Sequence, residues 1–149
     1  MNKNIIRDIS LAEEGRKKIE WAYQNMPVLK EIEKEFVKEK PFKGIKIAVS
    51  VHVEAKTACL VNLLIKGGAN VALTGCNPLS TQDDVAAALV NEGVSVFCWH
   101  DATKNEYRDH LIRTLEFKPN IVIDDGGDLA ELLHTEFKND LSELIGGCE

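Results

Sequence analysis

The chain has 149 residues, of which 44% are hydrophobic and 28% charged, as is typical of one soluble globular domain with a buried core. With 18 Lys and Arg against 24 Asp and Glu its net charge is -6, and no basic tract is long enough to follow a nucleic-acid backbone. No apolar run approaches the roughly 20 residues that cross a bilayer, and the first residues lack the apolar core of a signal peptide. We therefore expect a cytoplasmic protein without nucleic-acid or membrane partners.

The first third of the chain is charged and poor in strand-forming residues. From Leu11 to about Lys40 apolar residues recur at mostly helical spacings, which predicts two helices. Ser10, with Glu13 three residues later, is the predicted N-cap of the first helix. Pro27 is expected in the first position of the second helix, which Pro41 would end.

From residue 44 onward, short β-branched runs alternate with longer amphipathic ones. Strands are predicted at 45–51, 70–73, 94–99 and 121–123, and helices at 57–66, 81–91 and 104–117. Because these connections are too long for hairpins, they favour parallel pairing of the strands. The predicted fold class is α/β, an open parallel sheet with Rossmann-like βαβ alternation, preceded by an N-terminal helical segment.

Polar residues collect directly after the predicted strands, where an open parallel sheet forms its ligand crevice. His52 follows the first strand and opens a helix, a position that favours a neutral imidazole ready to pass a proton. Cys76 and Asn77 follow the second strand in a tight loop, in which an Asn usually forms a turn. Ser80, with Asp83 three residues later, is predicted to cap the next helix, whose start also suits a polar ligand.

The fourth strand ends in an acidic turn, Asp124-Asp125-Gly126-Gly127-Asp128. Three crowded carboxylates raise a carboxyl pKa towards the range of a general base, or hold a divalent cation. Alternatively, the glycines provide positive φ angles and Asp128 caps the following helix. For Asp128 the capping role is favoured, whereas for Asp125 the functional and structural roles are evenly balanced. A structural role is expected for the remaining histidines, which are His100, His110 and His134.

Two further patterns limit the cofactors. The four cysteines are spread singly with no Cys-x-x-Cys pair, so we expect reduced, packed thiols and assign no metal site. No Gly-x-Gly-x-x-Gly or Walker loop follows a strand, so residues 1–149 are not expected to bind a dinucleotide.

Taken in order and spacing, the polar segments resemble the N-terminal, substrate-binding part of the S-adenosylhomocysteine hydrolases, in an archaeal or thermophile-like branch. The resemblance covers nearly the whole chain. The segments that carry it are Asp8 to Arg16, Met26-Pro27, Lys40 to Gly44, His52 with Thr57-Ala58, Gly75 to Asn77, Ser80 to Asp83, Asp124 to Leu129, and His134-Thr135.

The resemblance implies reversible hydrolysis of S-adenosylhomocysteine to adenosine and homocysteine, with NAD bound by the full-length enzyme, a homo-oligomer and expected tetramer. It implies catalytic proton transfer by His52 and Asp125. It also implies a substrate-binding set consisting of Glu54, Lys56, Thr57, Cys76, Asn77, Ser80, Gln82 and Asp128.

Two residues depart from the family pattern after the first strand. Many members have Thr where this chain has Glu54, and Glu or Gln, which faces the purine 6-amino group, where it has Lys56. Lys only donates hydrogen bonds, so Lys56 suits a purine with an oxygen at position 6. The N1–H of such a purine would donate a hydrogen bond to Glu54. Hydrolysis of S-inosylhomocysteine is therefore an alternative to hydrolysis of the adenosyl compound. The other explanation is that these two residues are typical of the archaeal or thermophile-like branch and do not select the base.

The family continues beyond the segment matching Gly146 to Glu149 with a Thr-rich motif, catalytic residues and the NAD-binding domain. We accordingly predict that residues 1–149 form one substrate-binding domain, an N-terminal fragment that lacks hydrolase activity alone. Incubation with substrate, NAD and a thiol reagent should release no homocysteine, and turnover would contradict this.

Two other classes of protein share features of this pattern. One is a non-catalytic nucleoside-binding module, which calorimetry with adenosine would distinguish, since half a cleft should bind poorly. The other is a receiver-like signalling domain, which would need its Asp pair after the first strand rather than at Asp124 and Asp125.

Overall fold

The computed structural model describes residues 4–149 and has a five-stranded, entirely parallel sheet in the order β3-β2-β1-β4-β5. This confirms the predicted α/β class. The strands are β1 Lys46–Val51, β2 Asn70–Gly75, β3 Ser95–Val96, β4 Ile121–Asp124 and β5 Gly146–Cys148. The helices are α1 Ala12–Gln24, α2 Pro27–Glu39, α3 Ala55–Lys66, α4 Asp83–Asn91, α5 Lys104–Leu115 and α6 Asp128–Thr135.

Two apolar layers hold the sheet between its helices. Because side chains alternate along a strand, Ile47 and Val49 face a core formed with α1, α3 and α4. Ala48 and Val122 face the opposite core, which contains Leu115 of α5 and residues of α6. Among residues 4–149, no helix has the length and apolar character needed to span a membrane.

The start of α1 differs from the predicted one. Asp8, rather than Ser10, provides the cap: its carboxylate accepts a hydrogen bond from the Ser10 N–H at 2.8 Å. A 3-10 turn, Ile9–Leu11, then leads directly into α1, so the hydroxyl of Ser10 has no capping role. The predicted second helix is confirmed, with Pro27 in its first position.

The predicted third strand is too long. Only Ser95 and Val96 pair with β2, and beyond them Phe97 forms an isolated bridge with Ile5. The edge of the sheet is thus continued by a residue near the N-terminus. The fifth strand, Gly146–Cys148, was missed because two glycines give no strand-like side-chain pattern.

Strand β1 lies at the centre of the sheet, between β2 and β4. The chain runs outward from β1 through β2 to β3 and then returns to β4 on the other side of β1. Such a reversal of strand order opens a crevice at the carboxyl ends of the two strands beside it, where open α/β sheets bind ligands. Residues directly after β1 and β4 therefore border this crevice.

Candidate active site

Three reactive side chains predicted from separate strand ends meet at the crevice. His52 Nε2 lies 3.6 Å from Asp125 Oδ2, and Cys76 Sγ lies 3.5 Å from the same oxygen. His52 and Asp125 are exposed, and Cys76 is half-buried. Residues that follow β1, β2 and β4 thus form one cluster open to a ligand.

Backbone hydrogen bonds to β1 hold this cluster in place. The Asp125 N–H donates to the Ser50 carbonyl at 2.8 Å, and the Cys76 N–H donates to the Val51 carbonyl at 3.2 Å. The turns after β4 and β2 are therefore tied to the end of the central strand, so the sheet itself fixes the spacing of the reactive groups.

The surroundings of His52 determine which ring nitrogen carries the proton. Its Nδ1 lies 2.5 Å from Ser80 Oγ, and that hydroxyl donates to the Asn77 carbonyl at 3.0 Å. With the Ser80 proton on the Asn77 carbonyl, which only accepts, the Ser80 hydroxyl accepts from His52 Nδ1–H. In that tautomer the lone pair of Nε2 faces the crevice, where it is available to accept a proton.

The thiol of Cys76 is held neutral. Burial, together with its hydrogen bond to the Asp125 carboxylate, raises the pKa of Cys76 to about 12. A thiol is a poor nucleophile compared with a thiolate, so Cys76 at neutral pH is a hydrogen-bond donor to Asp125 rather than a nucleophile.

The three carboxylates of the acidic turn do not form one cluster. Asp125 alone joins the crevice, whereas Asp124 is buried and Asp128 is half-buried against α5. The glycines do take left-handed φ angles, +104° at Gly126 and +82° at Gly127. The turn therefore separates side chains that adjoin in sequence.

The predicted capping role of Asp128 is wrong, because Asp124 fills it. Asp124 Oδ2 accepts from the Ala130 N–H at 2.9 Å, while Asp128 occupies the first helical position behind Gly127. Within residues 4–149 the other oxygen of Asp124, Oδ1, is buried without a hydrogen-bond partner. Burial raises the pKa of Asp124, although its backbone donors oppose the rise.

The buried Asp124 carboxyl should make stability fall with rising pH. The folded state keeps its proton above the ordinary pKa of 3.8, so the unfolded state loses that proton first as pH rises. The stabilisation that this group contributes to the folded state is therefore fully present below pH 3.8. It is lost as the pH rises through the pKa that Asp124 has in the folded state. Urea unfolding between pH 4 and 7 should show a smaller pH-dependent loss in Asp124→Asn than in wild type, and parallel profiles would contradict it.

Tyr107 of α5 connects two parts of the site and was not predicted. Its hydroxyl lies 2.6 Å from Asp128 Oδ2 and 3.2 Å from the Cys76 carbonyl. Burial, reinforced by Asp128, raises the pKa of Tyr107, so the hydroxyl remains a donor. No sequence signal indicated this residue, because its partners are 31 and 21 positions away.

Removing the Tyr107 hydroxyl should loosen the acidic turn. Tyr107→Phe leaves the Asp128 carboxylate without this donor, and a lost hydrogen bond to a charged group costs about 1.5–3 kcal/mol. We expect Tm to fall by roughly 3–12 °C for a domain of this size. Thermal unfolding followed by circular dichroism measures the change, and a Tm equal to that of the wild type would contradict it.

The segment before α4 also differs from its predicted start. α4 begins at Asp83 with Gln82 as N-cap, so Ser80 does not cap it and instead binds His52. Asn77 forms the predicted turn, since its side chain accepts from the Leu79 N–H at 2.9 Å. The side chain of Gln82 contacts Lys18 of α1 at 3.3 Å rather than the reactive cluster.

A charged pair lies at the start of α3. Glu54 is its N-cap residue, and Lys56 Nζ lies 3.3 Å from Glu54 Oε1. The Lys56 side chain is 71% exposed, so it remains available to a ligand. Thr57 lies in the first turn of the same helix.

The connections after the strands do not suit a dinucleotide. A pyrophosphate needs a glycine-rich turn at a helix N-terminus, whereas β1 leads to α3 through His52, the fully buried Val53 and Glu54. The acidic turn before α6 has two glycines, but its carboxylates would repel a phosphate. The connections after β1 and β4 therefore do not fit the pyrophosphate of NAD.

Several known proteins that are similar in sequence to this chain are named as hydrolases of a homocysteine thioether. A family model described as S-adenosyl-L-homocysteine hydrolase matches residues 3–146. An S-inosyl-L-homocysteine hydrolase from Methanocaldococcus jannaschii is 55% identical over 144 residues, 97% of this chain and 35% of that protein. An adenosylhomocysteinase from Saccharolobus solfataricus is 53% identical over 145 residues, 97% and 34% of the two chains. The chain thus spans about a third of the length of these relatives.

Proposed function

The chain belongs to the S-adenosyl-L-homocysteine hydrolase family, and on that basis we propose that it forms the substrate-binding part of an enzyme that hydrolyses a purine nucleoside thioether of homocysteine. The observation that carries this proposal is the approach of His52 Nε2 to Asp125 Oδ2, 3.6 Å apart, beside the point where the strand order reverses. The site holds a base and a carboxylate where the fold binds ligands.

Hydrolysis of a thioether needs two proton transfers. The carbon–sulfur bond breaks, water supplies the new oxygen, and the departing sulfur gains a proton that water loses. The unprotonated Nε2 of His52 takes the proton from water, and the Asp125 carboxylate stabilises the resulting imidazolium before its proton passes to sulfur. Ser80 keeps the ring in this orientation throughout.

NAD, which the family resemblance implies, does not fit the connections after β1 and β4. We expect its binding residues in the two thirds of the relatives that this chain does not match. NAD binding and oligomer formation are therefore proposed for the complete enzyme and not for these residues alone.

The base of the nucleoside is proposed to be hypoxanthine. A 6-oxo purine presents an acceptor at O6 and a donor at N1, whereas adenine presents the reverse pattern. Lys56 and Glu54, 3.3 Å apart, offer the matching donor and acceptor. Four of the relatives carry the name S-inosyl-L-homocysteine hydrolase at 50–55% identity, while others at 49–53% are named adenosylhomocysteinase, so overall identity does not decide between the bases.

A chimera tests the function. Residues 3–146 of this chain would replace the matching third of the Methanocaldococcus relative, and release of homocysteine would be measured with both the inosyl and adenosyl thioethers. We expect turnover within about tenfold of the parent enzyme. A folded chimera that releases homocysteine from neither substrate would contradict the proposal.

The choice of base should depend on the charged pair. In the chimera, the double change Glu54→Thr and Lys56→Glu should shift the ratio of kcat/KM values towards the adenosyl thioether by at least about 100-fold, because two hydrogen bonds to charged groups together contribute about 3–6 kcal/mol. The double change Glu39→Thr and Lys38→Glu on α2, which makes the same charge change away from the crevice, is the control. An unchanged ratio would assign base recognition to other residues.

A further inference from the structure

We propose that His52, Cys76 and Asp125 form a Zn²⁺ site at the mouth of the crevice. Each contributes one ligand atom, and the three atoms lie within 4.8 Å of one another. Zn²⁺ binding rests on these side chains alone and does not depend on which substrate the crevice takes.

The two separations to Asp125 already suit the ion. Tetrahedral Zn²⁺ with usual bond lengths places nitrogen and oxygen ligands about 3.4 Å apart, and sulfur and oxygen ligands about 3.6 Å apart. The observed separations are 3.6 Å for His52 Nε2 and Asp125 Oδ2, and 3.5 Å for Cys76 Sγ and Asp125 Oδ2. The nitrogen of His52 and Cys76 Sγ lie within 4.8 Å of each other, against about 3.6 Å around tetrahedral Zn²⁺, so side-chain rotations that bring these two atoms about 1 Å closer complete the geometry.

The donor atoms favour Zn²⁺ over harder cations. A thiolate, an imidazole nitrogen and one carboxylate oxygen are typical zinc ligands, whereas Mg²⁺ prefers oxygen alone. His52 is prepared for the role, because Ser80 accepts its Nδ1–H and leaves the Nε2 lone pair free. The Cys76 thiol loses its proton to water as the metal–sulfur bond forms.

Three protein ligands leave a fourth position for water, and the exposed His52 and Asp125 leave a route for the ion. Bound Zn²⁺ would engage both groups assigned to proton transfer. If the proposed function holds, Zn²⁺ therefore inhibits the hydrolase.

The binding test uses the 149-residue chain without substrate. Co²⁺ serves as a coloured substitute for Zn²⁺, since a cobalt–thiolate bond gives near-ultraviolet absorption, and competition with Zn²⁺ gives the affinity. We expect one ion per chain, displacement of Co²⁺ by Zn²⁺ and no displacement by a hundredfold excess of Mg²⁺. Cys76→Ser should abolish the absorption, and His52→Ala and Asp125→Asn should each weaken binding at least tenfold.

Cys148→Ser is the matched control, because Cys148 is the exposed thiol outside the crevice. Absorption that survives Cys76→Ser but is lost in Cys148→Ser would overturn the site, as would equal affinity in wild type and His52→Ala. Circular dichroism of each variant confirms its folding. A chimera without hydrolase activity would leave this result intact, so the two proposals fail separately.

Discussion

Replacing Gly15 with alanine should lower the free energy of unfolding by about 3 kcal/mol, because α1 crosses α4 at this residue without room for a side chain. An added Cβ would lie 1.9 Å from the Asp84 carbonyl oxygen and 2.3 Å from its carbonyl carbon. The obstacle is backbone and cannot rotate away. The gain in helix propensity, about 1 kcal/mol, does not offset the forced separation of the helices.

Urea unfolding measures the loss, and Tm should fall by roughly 6–12 °C. Gly146→Ala is the control, since a Cβ at Gly146 meets nothing within 4 Å and its backbone angle suits any residue. A change below about 0.5 kcal/mol in both variants would show that α1 does not pack on α4 as described.

In the chimera, replacing His52 with asparagine should lower kcat by about 100- to 10,000-fold, the usual contribution of a positioned general acid or base. KM should change little, because the imidazole acts on water and sulfur rather than on the purine. Ser80→Ala should lower kcat by about tenfold, since it frees the Nδ1–H that orients the ring. Steady-state release of homocysteine measures both effects.

His134→Asn is the control for this series, because His134 is exposed at the end of α6. If His52→Asn and His134→Asn retain equal kcat values, His52 does not transfer protons. If Ser80→Ala matches His52→Asn in its loss, Ser80 does more than orient the ring.

Hydrophobic patterning was sufficient to predict the parallel sheet. The buried runs of β1, β2 and β4 alternate with amphipathic segments of helix length, so class and connectivity followed. Patterning failed where tertiary pairing rather than side chains defines the strand. β5 is made of Gly146, Gly147 and Cys148 beside β4, and beyond Val96 the third strand ends where Phe97 forms its isolated bridge with Ile5.

The sequence predicted which residues lie at the carboxyl edge of the sheet, but not the contacts among them. His52, Cys76 and Asp125 each follow a parallel strand, so their shared edge was expected. The contacts that refine the site join distant positions: Ser80 reaches His52 across 28 residues, and Tyr107 reaches Asp128 across 21. They depend on how the loops fold, which no local pattern in the sequence specifies.

The most direct test of substrate binding at the reversal of strand order is a crystal structure of the chimera with inosine. The nucleoside should lie between the ends of β1 and β4, with O6 of the base within hydrogen-bond distance of Lys56 and N1 facing Glu54. Inosine bound instead at the opposite edge of the sheet, in the 560 Å³ cavity beside Lys46 and Asn70, would contradict the assignment of the site.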